Sequence, residues 1–135
     1  MKITKALLLA PVLWLCASLL YAHTELKQAS PADGAVLNHG PAALVLGFTE
    51  PVQLVKLTMV DKNGAVVATG FTAAAESLNT FTIALPALMP AVYQASWTIV
   101  GKDGHRVEGK LGFTVDPNTT ESAGKAPAKT QHEHH

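Results

Sequence analysis

The sequence predicts an all-β chain: an immunoglobulin-like antiparallel β-sandwich of about seven strands with Greek-key connections. Three observations lead there. After residue 23 no helical period of apolar residues can be followed, and short runs rich in Val, Leu, Thr, Phe and Ile recur between turn residues instead. In one of the two longest of these, Tyr93, Ala95, Trp97 and Ile99 alternate onto one face. About seven such runs in a domain of roughly 90 residues call for two sheets packed face to face.

Residues 1–22 precede this region and read as a signal peptide. Lys2 and Lys5 supply the positive start, Ala6 to Leu20 an uncharged apolar run, and Ala22 a small residue before the cut. The first strand is expected over Thr24 to Ala29, followed by a turn at Ser30-Pro31-Ala32-Asp33-Gly34. A second runs from Ala43 to Thr49 and stops at Pro51. Val55 to Val60 and Ala65 to Thr69 flank Asp61-Lys62-Asn63-Gly64, whose Asn-Gly pair is a strong hairpin signal. Asn79 to Leu85 reads as another strand, closed by Pro86 and Pro90. Ala91 to Val100 and His105 to Val115 are joined across Gly101-Lys102-Asp103-Gly104. Trp97 belongs to the core in this reading, Met59 and Met89 are packing residues, and His39 is a loop residue. From Asp116 the composition turns to Thr, Ser, Ala, Gly, Lys and Pro without apolar period, as in a disordered tail, here 116–135.

Composition narrows the chemistry. The single cysteine, Cys16, falls in the signal, so residues 23–115 exclude disulfides, zinc–thiolate sites and thiol catalysis. Removing Lys2 and Lys5 leaves eight basic against ten acidic residues, a net charge of −2. That balance offers no footprint for nucleic acid and no polybasic membrane motif. No catalytic triad, paired acid/base carboxylates or phosphate-binding glycine loop is apparent.

Chemistry gathers at His23. Cleavage after Ala22 exposes a free α-amine beside the His23 imidazole, a chelate that a histidine inside a chain cannot form. Asp103-Gly104-His105 adds two potential ligands at a hairpin turn. A donor set of the His23 amine and imidazole, the His105 imidazole and an Asp103 oxygen holds three nitrogens and one oxygen, which suits Cu(II). The amine has a reference pKa near ~7.7–8.0, so displacing its proton costs on the order of 1 kcal/mol at neutral pH. Binding is therefore feasible there and weakens in acid. The tail ends in His132, Glu133, His134 and His135, a flexible metal-collecting arm or a plain polar end.

These pieces resemble the CopC-type copper-resistance proteins, small periplasmic copper carriers with a β-sandwich fold. The matching segments are the signal followed by His23, Ser30-Pro31-Ala32-Asp33-Gly34, and Phe48-Thr49-Glu50-Pro51-Val52. Tyr93-Gln94-Ala95-Ser96-Trp97 then leads into Asp103-Gly104-His105 and Gly109. The resemblance implies copper ligation by His23, Asp103 and His105, and places Glu50 near the metal as a weak ligand or outer-shell partner. It further implies a periplasmic monomer that buffers Cu(II) or passes it to an inner-membrane copper transporter of the CopD type. Some family members hold Cu(I) on a methionine-rich loop; here Met59 to Thr72 contains just Met59, so a soft Cu(I) site is not expected. Gly101 stands where other members often carry a serine.

Two other readings compete. A copper-brace oxidative enzyme of the polysaccharide-monooxygenase type also begins with a histidine, but needs exposed aromatics for a glycan and an open copper position. A metal-free adhesive or chaperone-like sandwich makes His23 a coincidence.

Overall fold

The computed structural model describes residues 25–121 and Gly124. Seven strands follow in order: β1 (Leu26–Ser30), β2 (Ala35–Leu37), β3 (Ala43–Asp61), β4 (Val66–Val67), β5 (Leu78–Ala84), β6 (Ala91–Val100) and β7 (Arg106–Val115). They form the β-sandwich that the sequence predicts. The first half of β3 lies between β1 and β5 in one layer. Its second half pairs with β4 and β6, and β6, β7 and β2 complete the other layer.

β3 links the two layers, and here the expectation of two strands separated at Pro51 is corrected: one strand of 19 residues runs through. Proline removes a ladder donor and is tolerated only where none is required. Pro51 sits in such a gap, because pairing with β1 and β5 lapses after Phe48 and Gly47, resuming at Val52, and pairing with β6 begins at Gln53. A bulge between Leu54 and Lys56 inserts one residue. The extra residue changes which face is buried. Leu44, Leu46, Phe48, Val52 and Leu54 point inward before it, Leu57 and Met59 after it.

The remaining core comes from Ala35 of β2, Ile83 of β5, Tyr93, Ala95, Trp97 and Ile99 of β6, and Leu111, Phe113 and Val115 of β7. Each large apolar side chain buried this way contributes about 1.5–3 kcal/mol. Trp97 is a core residue as expected, and its indole lies across Gly109, its partner on β7, where any Cβ would collide with the ring. Met59 is fully buried, but Met89 is 76% exposed and is not a packing residue. Its backbone carbonyl instead accepts the Tyr93 hydroxyl at 2.5 Å. This bond, from a tyrosine at the start of a strand to a carbonyl four residues upstream, is the corner device of Greek-key sandwiches.

Two further differences have local causes. The strand expected over Ala65–Thr69 contracts to Val66–Val67. β2, which the sequence does not announce, runs parallel to β7, so the second layer is mixed rather than wholly antiparallel. Three residues are too few to display a period of two. β2 is held by its flank, where Gly34 donates to Gly112 O at 2.7 Å and Gly112 donates to Asp33 Oδ1 at 2.8 Å. Beyond β7 the backbone stays bonded to the domain: Asp116 N donates to Leu37 O at 2.8 Å and Thr119 N to Asp116 O at 3.1 Å. The expected signal and the histidines of the tail lie outside the described residues.

Candidate metal centre

The β6–β7 hairpin closes over Gly101-Lys102-Asp103-Gly104-His105. Gly104 N donates to Gly101 O at 3.0 Å, and Gly101 N donates to His105 O at 3.2 Å. This is a tight loop with a glycine bulge, and it requires the left-handed backbone that Gly104 adopts at φ 79°. Gly101 makes both of these bonds through its main chain.

Asp103 uses its two oxygens differently. Oδ1 accepts the His105 backbone N–H at 3.0 Å, which fixes the carboxylate against the turn. Oδ2 lies 2.9 Å from His105 Nδ1. The His105 backbone N–H, more than the imidazole charge and hydrogen bond, holds the Asp103 carboxyl below its usual range against an opposing push from desolvation. Asp103 is therefore an anion at neutral pH. Both side chains are open to solvent, His105 at 72% and Asp103 at 60%. First-row ions such as zinc bond nitrogen and oxygen at ~2.0–2.2 Å, which sets neighbouring ligands at right angles about 3 Å apart. Oδ2 and Nδ1 are thus at the separation of two neighbouring ligands of such an ion, which would sit to one side of the line joining them after both groups turn toward it.

β3 brings the N-terminal end of the domain to the same region. Glu25 N donates to Thr49 Oγ1 at 3.1 Å, and Thr49 N donates to Glu25 O at 3.0 Å. Four residues further along β3, Gln53 pairs with Val100, the last residue before the hairpin loop. Four strand residues span about 13 Å. The point where the chain leads back toward His23 and the tip carrying Asp103 and His105 therefore share one end of the sandwich. Glu50 is exposed within that stretch.

Of the four residues singled out from sequence, the structure joins two, Asp103 and His105. Glu50 is near in topology but belongs to no cluster; among the described residues no three His, Cys, Asp or Glu side chains converge on a metal position. His23 lies outside the described residues. What the sequence reading missed is Thr49, which ties down the strand behind His23; the run Phe48-Thr49-Glu50-Pro51 carries the signal, a hydroxyl beside a proline that interrupts the ladder. Among the described residues no aromatic side chain is exposed, and the platform that a glycan-binding enzyme needs is absent from them.

The described residues thus form a β-sandwich with an exposed His/carboxylate pair at one tip. Residues 26–116 match the CopC domain family, and the chain belongs to that family. It is 30% identical over 99 residues to the copper transport protein CutJ of Bacillus subtilis (strain 168), a match covering 70% of this chain and 18% of that protein. The chain thus spans less than a fifth of the curated relative's length. CopC from Methylosinus trichosporium OB3b superposes with a TM-score of 0.63 at 30% identity, covering 73% of this chain and 98% of that one. The methionine-rich copper resistance protein PcoC from Escherichia coli does so with a TM-score of 0.53 at 30% identity, covering 70% and 100%. The family match begins at residue 26, so it takes in Glu50, Asp103 and His105 but not His23.

Proposed function

We propose that this protein holds one Cu(II) ion outside the cytoplasm, as a carrier or buffer in copper homeostasis and resistance. The ligands are the amine and imidazole of His23, exposed by signal cleavage after Ala22, with the His105 imidazole and Asp103. Glu50 lies at the rim as an outer-shell partner. The observation that carries this reading is the pair of Asp103 Oδ2 and His105 Nδ1, 2.9 Å apart and open to solvent on a rigid hairpin. The Glu25–Thr49 bonds support it, because they anchor the chain two residues after His23 at the same end of the domain. Three nitrogens and one oxygen favour Cu(II), and the general affinity order of divalent ions peaks at copper. Loading releases protons from the ligands, so affinity falls in acid. The recipient is an inner-membrane copper transporter of the CopD type, met by a periplasmic monomer.

The test is a competitive copper titration of the exported protein, with N-terminal sequencing. The exported chain is expected to begin His-Thr-Glu-Leu and to bind one Cu(II) with an axial, nitrogen-rich paramagnetic resonance signal. A single residue added before His23 turns the amine into an amide and is expected to weaken binding by more than about a hundredfold, beyond what loss of an outer-shell partner costs. Unchanged affinity in that variant would overturn the reading.

A further inference from the structure

A second histidine finds oxygen partners near the other end of the sandwich. His39 follows β2, and its Nδ1 lies 2.6 Å from Asn38 Oδ1 and 3.1 Å from Glu121 Oε1. His39 is 75% exposed and Glu121 46%. The groups come from two parts of the chain, the adjacent Asn38 and His39 after β2 and Glu121 beyond β7, and the main chain around both is bonded to the domain. Leu37, just before Asn38, pairs with Val115 and accepts the Asp116 N–H at 2.8 Å. The turn closed by Thr119 N on Asp116 O then brings the chain round to Glu121. Past Glu121, Gly124 sits so close to Ala35 and Asp33 that a Cβ there would collide with their backbone.

Two oxygens converge on one ring nitrogen, and a single N–H cannot point at both at full strength. A divalent cation has no such restriction. It accepts one nitrogen and two oxygens together: the Glu121 separation already matches the roughly 3 Å edge between neighbouring ligands of a first-row ion, and the shorter Asn38 contact has to open to reach it. We propose that His39, Asn38 and Glu121 form a second, weaker Cu(II) site with one nitrogen and two oxygen ligands and with water in the remaining positions. It lies beyond the opposite end of β7 from Asp103 and His105, about 30 Å away over the ten residues of that strand. It uses none of the residues of the first site. Its oxygen-rich ligands are poorer for copper than the nitrogen-rich set, which makes it a locus that fills after the first and empties before it.

The experiment is a titration of the full chain with Cu(II) alone past one equivalent, followed by calorimetry and paramagnetic resonance. A second, weaker equivalent is expected, with a resonance signal of lower nitrogen content. In H39A combined with E121Q the second equivalent should weaken at least about tenfold while the first is unchanged. In H105A the reverse should hold. Removing residues 125–135 should leave the second equivalent in place. The proposal is overturned if no second equivalent appears, or if H39A/E121Q leaves its affinity unaltered. It is equally overturned if the tail deletion abolishes the second equivalent while the His39 variant keeps it, because the copper would then be on His132, His134 and His135. Failure of H105A to weaken the first equivalent would count against the first site alone.

Discussion

Two hairpin loops of this protein share one backbone and differ in purpose. Asp61-Lys62-Asn63-Gly64-Ala65 joins β3 to β4, and Gly101-Lys102-Asp103-Gly104-His105 joins β6 to β7. In each, the fourth residue donates to the carbonyl of the first, and the first donates to the carbonyl of the fifth. The fourth residue is a glycine with φ 80° in one and 79° in the other. What separates them is the carboxylate. In the first loop it opens the turn, and Asp61 Oδ1 accepts the N–H groups of Asn63 and Ala65 at 2.8 and 2.9 Å. In the second it stands at the third position, where one oxygen secures the turn and the other faces His105. The first loop spends its acid on the main chain. Moving the acid two positions, and ending on histidine rather than alanine, leaves an oxygen and a ring nitrogen facing each other in solvent, the pair proposed above as ligands.

Exchanging the loops gives the largest expected effect. Gly101→Asp, Asp103→Asn and His105→Ala together copy the first loop into the second, and copper affinity should drop by more than about a hundredfold while the hairpin persists. A competition titration beside a thermal melt checks both halves; unchanged affinity would show that the copper lies elsewhere.

The two aspartates should then divide stability from binding. Asp61→Ala removes two hydrogen bonds to the main chain and is expected to cost about 1–2 kcal/mol in urea unfolding with copper affinity untouched. Asp103→Ala should weaken copper binding about tenfold to a hundredfold. The comparison fails if both variants act on the same property.

The glycines should behave alike in one measurement and differently in another. Gly64→Ala and Gly104→Ala each force a side chain into the left-handed region and should each lower stability by about 1–2 kcal/mol. A methyl group at either position would meet nothing within 4 Å, so strain and not collision is the cause. Copper affinity should change in the Gly104 variant alone, since that loop positions Asp103 and His105.

The smallest effect is in alkaline solution. Burial, and then the nearby negative charge of Asp61, push the Tyr93 hydroxyl above its ordinary 10.0, partly offset by its bond to Met89. A raised folded pKa means the folded state keeps this proton longer than the unfolded chain. The stabilisation is fully present below pH 10 and is lost as pH rises through the folded value. Unfolding curves of Tyr93→Phe should lack that part of the alkaline decline, after a loss of about 0.5–1.5 kcal/mol at neutral pH from the missing hydrogen bond.

Much of this is legible in the chain because it follows from local rules. Asn63-Gly64 and Asp103-Gly104 announce their loops, since glycine alone takes the left-handed backbone without cost. Alternation along Tyr93 to Ile99 announces a buried face, and Asp103 two residues before His105 on a tight turn announces that the two side chains meet. Other features depend on partners distant in sequence, and no local rule carries them. β3 passes through Pro51 because the ladder has a gap there, which is a property of its neighbours β1, β5 and β6. β2 is too short to show a pattern and exists because Asp33 and Gly34 are bound to Gly112. Met89, apolar by type, is left in solvent by its place on a corner. The meeting of Glu25 with Thr49, and of His39 with Glu121, likewise needed the folded chain, because those contacts are chosen by which strands lie side by side and not by the residues adjacent to them.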